Sequence, residues 1–399
     1  MSKKIGIFSF FAGAGFLDLG FEETGQYSTL FMNEYHKPFA EIYVASRKKL
    51  GISQPVFGHQ VADITENLTN LNSIWLAENL KKAKKSHDIV GFIGGPPCPD
   101  FSVGGKNKGQ KGENGKLSGT YVELICRNKP DFFLFENVKG LYRTAKHRAF
   151  FEAMKRKLIN AGYYITEKLI NAIEFGAPQD RDRIILIGFQ RDTLGDFGFK
   201  LNGSPIIKNF DWEKNTVFKA DDVFGLNWPT LERFKENSKK EIPQNIPVEL
   251  TVEFWFKKNS VEQHPNAKHY FTPRAGLAKF EVIDEGDDLK KSYKRLHRWR
   301  YSPTAAYGNN EVHLHPYKPR RISAAEALAI QSLPKDFVIP DYITLTDMFK
   351  TIGNGVPFLA AKGLAENIFD FIYNNPIKDL KVSYAETNSK QYSSVHQPA

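Results

Sequence analysis

The sequence predicts an α/β fold on a parallel sheet, with a smaller and less regular region inserted before the last helices. Three observations predict it. The first ~190 residues alternate short apolar runs with helical stretches. From about residue 191 that rhythm disappears, and prolines, asparagines and aromatics rise. Near Ile322 a strong helix pattern returns. We therefore divide the chain into 1–190, an inserted region 191–318, a segment 319–385 that returns to the first unit, and a polar tail 386–399.

Residues 5–11 form a buried strand that runs into Ala12-Gly13-Ala14-Gly15, with a helix over 16–23. Leu30-Phe31-Met32-Asn33 forms a second strand ending at Glu34, and Val61-Ala62-Asp63-Ile64 marks a third strand end. The apolar run 88–93 is a strand delivering the turn Gly94-Gly95-Pro96-Pro97-Cys98. Residues 101–119 are rich in glycine and lysine and read as a loop, followed by a helix over 121–127. A strand at 131–135 ends in Glu136-Asn137-Val138, a helix covers 148–160, and a strand covers 183–189. Ser323 caps a helix over 323–332, with Glu326 as its capping-box partner and Leu333-Pro334 as its stop. Pro357, after Gly353-Asn354-Gly355-Val356, suits the first turn of a last helix.

Composition narrows the function classes. The chain has 399 residues, enough for two domains, and a formal net charge of +10, which suits a polyanionic partner. Two cysteines do not make a disulfide framework, so we read an intracellular, reduced protein. Met-Ser-Lys-Lys is not followed by a secretory apolar core, and no apolar run approaches the ~18 residues of a membrane span. His313-x-His315 is the closest histidine pair, and no metal site is expected.

Several residue patterns carry chemistry. A thiol on a proline-stiffened turn, as at Cys98, suits a positioned nucleophile, although a tight turn with a buried cysteine explains it equally well. Gly13-x-Gly15 after the first strand lets backbone approach a ligand, but the third glycine of a dinucleotide fingerprint is Asp18. Glu34 at the second strand end is placed to bind ribose hydroxyls, or is simply a solvated loop acid. Asp63 is placed to accept from an adenine amino group. Glu136, at the tip of an apolar strand, is partly desolvated and suited to proton donation, or belongs to a helix cap region. Gln179-x-Arg181-x-Arg183 puts both guanidiniums on one face of an extended segment. The run 290–300 holds six Lys or Arg, no acid, and Tyr293 and Trp299, a composition that fits phosphate contacts with stacking or a solvated basic helix. Across 191–318 there are 21 Lys or Arg against 18 Asp or Glu, so the charge is patchy.

The order of these patterns is more specific than any one of them. Phe11-Ala-Gly-Ala-Gly15, Asn33-Glu34, Asp63-Ile64, Pro97-Cys98, Glu136-Asn137-Val138, Gln179-x-Arg181-x-Arg183, Arg321-Ile-Ser-Ala-Ala-Glu326 and Gly353-Asn354-Gly355-Val356 occur in sequence. This resembles the DNA cytosine-5 methyltransferase family from end to end, bacterial or phage modification type. The resemblance implies a class I S-adenosylmethionine-dependent methyltransferase domain (Rossmann-like) with a smaller target-recognition domain at 191–318, and DNA in the cleft between them. It implies a cofactor site of Phe11, Gly13, Gly15, Glu34, Tyr35, Asp63, Ile64, Pro97 and Tyr121, closed by Asn354 and Val356. It implies that Cys98 attacks carbon 6 of a flipped-out cytosine. Glu136 would contact N3 and the exocyclic amine, while Arg181 and Arg183 would orient Glu136 or the base carbonyl. Residues 101–119 match the family's catalytic loop, with Ser102, Lys106 and Lys108 toward DNA. Arg274, Arg298, Arg300 and Thr304 are the candidate DNA contacts of the recognition region. The same resemblance implies double-stranded DNA as partner, a monomer in the cytoplasm associated with the nucleoid through DNA, and pairing with a restriction endonuclease.

Departures and rivals are specific. Pro99 and Asp100 stand where the family has Gln after the cysteine, Ser9 where it has an acid, and Phe16 where it has a second Gly. The common RNA cytosine-5 family needs a second motif cysteine, and Cys126 has no such motif. A DNA-methyltransferase-like transfer-RNA enzyme usually carries Cys-Phe-Thr, absent here. A DNA-binding relative without activity would lose Cys98, Glu136 or Arg183, and all are present. A nicotinamide dehydrogenase leaves Pro97-Cys98 unexplained.

Overall fold

The computed structural model describes residues 5–97, 113–142, 144–201, 203–273, 277–290, 292–305, 307 and 311–381. Cys98, Ser102, Lys106, Lys108 and Arg274 lie outside the described residues, as does the polar tail.

Seven strands form one sheet: β1 (Ile5–Phe10), β2 (Tyr27–Glu34), β3 (His59–Val61), β4 (Ile89–Gly94), β5 (Phe132–Val138), β6 (Tyr163–Asn171) and β7 (Asp182–Gln190), in the order β3-β2-β1-β4-β5-β7-β6. The first five are parallel, whereas β7 runs antiparallel to both β5 and β6. Between them run α1 (Phe16–Glu23), α2 (Lys37–Lys49), α3 (Asn70–Ser86), α4 (Glu113–Asn128) and α5 (Ala145–Asn160). The sheet is buried on both faces, so its strands read as continuous apolar runs. One face carries Phe8, Phe10, Phe92, Phe133 and Phe135 against Leu80 of α3, Ile125 of α4 and Leu158 of α5. The other carries Ile5, Ile93, Leu134 and Ile187 against Leu17 and Phe21 of α1. Among the described residues no helix is long and apolar enough to cross a membrane.

After β7 come the short helices α6 (Arg191–Asp196), α7 (Ala220–Phe224), α8 (Val252–Lys258) and α9 (Lys279–Val282), then α10 (Ala324–Ile330), α11 (Leu345–Asn354) and α12 (Phe358–Phe369). The cores do not follow the division expected from the sequence. Phe199, Ile207 and Phe210 join the core under β7 with Leu364 and Phe371, and Ile207 bonds back to Ile165 of β6. The chain therefore stays on the seven-stranded sheet well past residue 191. At the other end, Val252, Trp255, Leu296 and Val312 share one core with all of α10, so 319 is not a boundary in packing.

Ser323 caps α10, and its reciprocal bonds with Glu326 form the expected capping box. Three local expectations shift. The third strand ends at Val61, because Asp63 turns the chain into a 3₁₀ turn, Ile64–Leu68. Residues 113–119, read as loop for their glycines, are the first turns of α4. Pro357 is the N-cap of α12 rather than its first-turn residue. The strand β6 and the helices α2, α3 and α11 add elements that the residue patterns did not single out. The edge strand β6 breaks its apolar run with Glu167 and Lys168, and lysines and other polar residues interrupt the apolar stripes of α2 and α3.

Candidate active site

Parallel register brings the C-terminal ends of four strands together. Phe10 sits opposite both Asn33 and Gly94, and Gly94 opposite Phe135. The order reverses at β1, between β2 and β4, which is where open α/β sheets bind ligands.

The loop after β1 has three residues with left-handed backbone: Phe11 (φ 54°), Gly13 (φ 57°) and Gly15 (φ 83°). Phe11 is held in this sparsely populated region at a strand end, a place where strain commonly accompanies function. Its ring meets Tyr121 edge-on at 5.9 Å. At Gly13 an added Cβ would meet only Thr351 Oγ1, 3.9 Å away, which leaves the backbone open to a ligand. At Gly15 a Cβ would lie 2.7 Å from the Tyr43 ring. That tyrosine donates to Asp18 Oδ2 (2.9 Å), and Ser9 donates to Asp18 Oδ1 (2.7 Å). Complete burial lifts the Asp18 carboxyl to about 6, against the hydrogen bonds from Ser9 and Tyr43. The acid missing at Ser9 is thus supplied by α1, a feature the residue patterns did not reveal.

Glu34 closes this loop from β2. Its Oε2 accepts from Gly13 N and its Oε1 from His36 N, both at 2.8 Å. Burial raises its carboxyl above the usual range, opposed by these two N–H groups. Tyr35, beside it, is exposed. Asn33 ties the ends of β2 and β3 by donating to Ala62 O (3.0 Å), which brings Asp63 next to Glu34. Asp63 spends Oδ1 on Thr65 N (2.8 Å), and Ile64 is buried behind it. Tyr121 is fully buried with its hydroxyl on Leu134 O, so it backs Phe11 rather than facing a ligand directly. At the far side, α11 ends in exposed Asn354, followed by Gly355, where a Cβ would lie 2.2 Å from the Phe16 ring. Val356 is buried. The C-terminal segment therefore seats directly on the start of α1. These features fit an adenosine-bearing methyl donor: open backbone at Gly13, a carboxylate at Glu34 and a free carboxylate oxygen at Asp63.

Glu136 and Arg183 meet across the sheet. Glu136 sits opposite Ile185 in the antiparallel pair, so Arg183 is its diagonal neighbour on the same face. Arg183 Nε lies 2.6 Å from Glu136 Oε1, with side chains 14% and 10% exposed. The proline turn crowds this acid: a Cβ on Gly95 would lie 2.5 Å from Glu136 Oε2, and Asn137 reaches Pro96 O. Pro97 is exposed and is the last described residue before Cys98.

Arg181 differs from expectation. It is 1% exposed, and its guanidinium donates to Ala305 O (3.1 Å), Gly353 O (2.9 Å) and Gln179 Oε1 (3.4 Å). Burial and the neighbouring Arg183 push its pKa well down. Its hydrogen bonds make it a tie between the sheet, the recognition region and the Gly353 turn, not a partner of Glu136.

The basic run is corrected more sharply. It is not a solvated helix. Arg295, His297, Arg298 and Trp299 are all buried. Arg298 donates to Glu285 Oε1 (2.8 Å) and Oε2 (2.9 Å) and lies over the Tyr317 ring, so its guanidinium is spent inside the inserted region rather than offered to DNA. Arg300 is half-buried beside Asp180, and exposed Thr304 donates to Asp180 O (2.6 Å). Both stand next to the Arg181–Arg183 segment.

A family model described as C-5 cytosine-specific DNA methylase matches residues 5–370. The chain is 59% identical to Type II methyltransferase M.NmeDI of Neisseria meningitidis serogroup C over 373 residues, covering 94% of this chain and 85% of that protein. It is 30% identical to Type II methyltransferase M.FnuDI of Fusobacterium nucleatum over 375 residues, covering 91% and 95%. In fold it resembles a putative prophage-encoded DNA modification methyltransferase of E. coli, with TM-score 0.61, 21% identity and coverage of 93% and 100%. With the glycine loop, the Glu136–Arg183 pair and the Asn354 turn gathered at one end of a seven-stranded sheet, the chain belongs to the C-5 cytosine-specific DNA methylase family and is a DNA cytosine-5 methyltransferase.

Proposed function

We propose that the protein methylates carbon 5 of a flipped-out cytosine within a specific duplex sequence, through a covalent adduct between Cys98 and carbon 6, as the modification arm of a type II restriction–modification system. The observation that carries this reading is the Glu136–Arg183 pair set against Gly95, three residues before Cys98.

S-adenosylmethionine, when bound, supplies an electrophilic methyl group on a sulfonium. Glu34 would bind its ribose hydroxyls and Asp63 its adenine edge, and the open backbone at Gly13 would let the loop approach it. The residues do the rest. The Cys98 thiolate adds to carbon 6, and the electron pair of the 5,6 double bond shifts toward carbon 5, which becomes nucleophilic. Glu136, protonated for this step, donates its proton to N3 and accepts from the exocyclic amine, so charge is neutralised as it develops there. Arg183 fixes the Glu136 carboxyl group in that orientation. Carbon 5 takes the methyl group and S-adenosylhomocysteine is the leaving group; a solvent base then takes the carbon 5 proton while N3 returns its proton to Glu136. The Cys98–carbon 6 bond then breaks by β-elimination, which restores the double bond and the thiolate. A stacked duplex hides carbon 6, so the cytosine must leave the helix. The names of the relatives, Type II methyltransferases, support the pairing with a restriction enzyme.

Bisulfite sequencing of DNA from cells expressing the protein will give the methylated site. Purified Cys98→Ser should bind that duplex and transfer no methyl group. Normal turnover in that variant would remove Cys98 from the mechanism.

A further inference from the structure

One hydrogen-bonded path joins Glu34 to the far end of the chain. His36 donates from its backbone N to Glu34 Oε1 (2.8 Å), and its imidazole Nε2 lies 2.8 Å from Asp347 Oδ1. His36 is also the residue that precedes α2, and its ring packs edge-on to Phe39 at 4.5 Å. Asp347 is fixed in the first turn of α11. Its N–H bonds Thr344 Oγ1 (3.1 Å), and the Thr344 hydroxyl returns a bond to Asp347 Oδ2 (2.8 Å). Further along α11, Lys350 lies over the Phe39 ring at 5.9 Å. The helix then ends at Asn354, and the following Gly355 packs on Phe16 at the start of α1. Thus α11 is anchored at both ends: by Asp347 to the end of β2, and by the Asn354–Gly355 turn to the glycine loop.

We propose that His36 and Asp347 are positioning residues for the methyl-donor site, a clamp that holds α11 against β2 and so fixes the spacing between Glu34 and Asn354. This rests on the reading that Glu34 binds the donor. The pair is partly exposed, with side chains 35% and 18% accessible, and exposed pairs of this kind add little to global stability. Its leverage is local. The imidazole shares a residue with the backbone N–H that orients Glu34, so a lost bond to Asp347 frees that N–H to drift.

The test is calorimetric binding of S-adenosylhomocysteine to the full chain. His36→Ala and Asp347→Ala should each weaken binding by about three- to tenfold. The KM for the donor should rise equally, with kcat at saturating donor and the KM for DNA held within about twofold. The double variant should lose no more than either single one, and His36→Gln, which keeps a donor toward Asp347, should recover most of the affinity. Glu34→Ala is the control. If Glu34→Ala weakens binding while His36→Ala and Asp347→Ala leave it unchanged, the clamp is wrong and the donor site stands. If Glu34→Ala binds normally, the donor-site reading itself fails, and the clamp with it. A fall in kcat with unchanged donor affinity would also overturn the clamp.

Discussion

The sheet end and the inserted region use charged side chains in different ways. At the sheet end most backbone groups are met by strand ladders, and a few charged groups gather at the strand tips: Glu34 holds two loop N–H groups, and Glu136 pairs with Arg183. Among the described residues between 225 and 320 there is little regular structure, and charged groups fill the gap. Arg295 shows this plainly: its guanidinium donates to the carbonyls of Phe280 in the short helix α9 and of Ile283, His315 and Lys318 outside any helix or strand. Arg298, Glu285, Lys240, Glu232 and His297 form a connected ion network beside it. A positive run in a sequence therefore does not mark a nucleic-acid surface when the chain around it lacks secondary structure. Buried arginine is a substitute for backbone pairing, because each guanidinium offers five donors in a fixed fork.

Substitutions on the two sides should separate accordingly. Glu136→Gln is expected to lower kcat by about a hundred- to ten-thousandfold with little change in melting temperature, measured by single-turnover methyl transfer and thermal denaturation. Arg298→Ala should do the reverse. It removes both guanidinium bonds to Glu285 and leaves that carboxylate paired with Lys240, so stability should fall by about 1.5–3 kcal/mol in urea unfolding. An Arg298→Ala protein of full stability but weakened DNA affinity would restore Arg298 as a contact and break the comparison.

Asp18 sharpens it, as the one buried acid at the sheet end that serves structure. Its carboxyl titrates near 6 when folded against 3.8 in the unfolded chain, so the folded state holds the proton more tightly. This contribution is present below pH ~4 and is lost as pH rises through about 6, a change of about 3 kcal/mol. Asp18→Asn cannot lose it. Relative to the wild type, that variant should gain stability as pH rises across this window, and a parallel pH profile for the two proteins would refute the assignment. The smallest effect is expected at Arg300. Arg300→Ala should fold normally, weaken duplex binding a few-fold and reduce the salt slope by about one, as for a single phosphate contact.

Sequence reading placed the strand ends of the first half well, because strand ends are marked by abrupt changes from apolar to polar or glycine. Phe10 to Gly15, Asn33-Glu34 and Phe135-Glu136 all carry that mark. It missed relations between distant elements. Nothing local in Asp18 shows that it stands under Ser9, nor in His36 that it meets Asp347, 311 residues away. It also treated Arg181 and Arg183 as equivalent. They alternate on one strand entry, yet one is spent on carbonyls and the other on Glu136. The recognition region was least legible, since neither helical nor strand periodicity governs which of its side chains face inward.

The central claim is covalent attack by Cys98 on the target cytosine. A cognate duplex carrying 5-fluorocytosine at the methylated position, incubated with the protein and S-adenosylmethionine, should yield a denaturation-resistant complex. Fluorine at carbon 5 cannot leave as a proton, so elimination stops. Intact-mass measurement should give the sum of protein, DNA strand and one methyl group, and Cys98→Ser should give none. Absence of the adduct from the wild-type protein, with the natural duplex still methylated under the same conditions, would contradict the account.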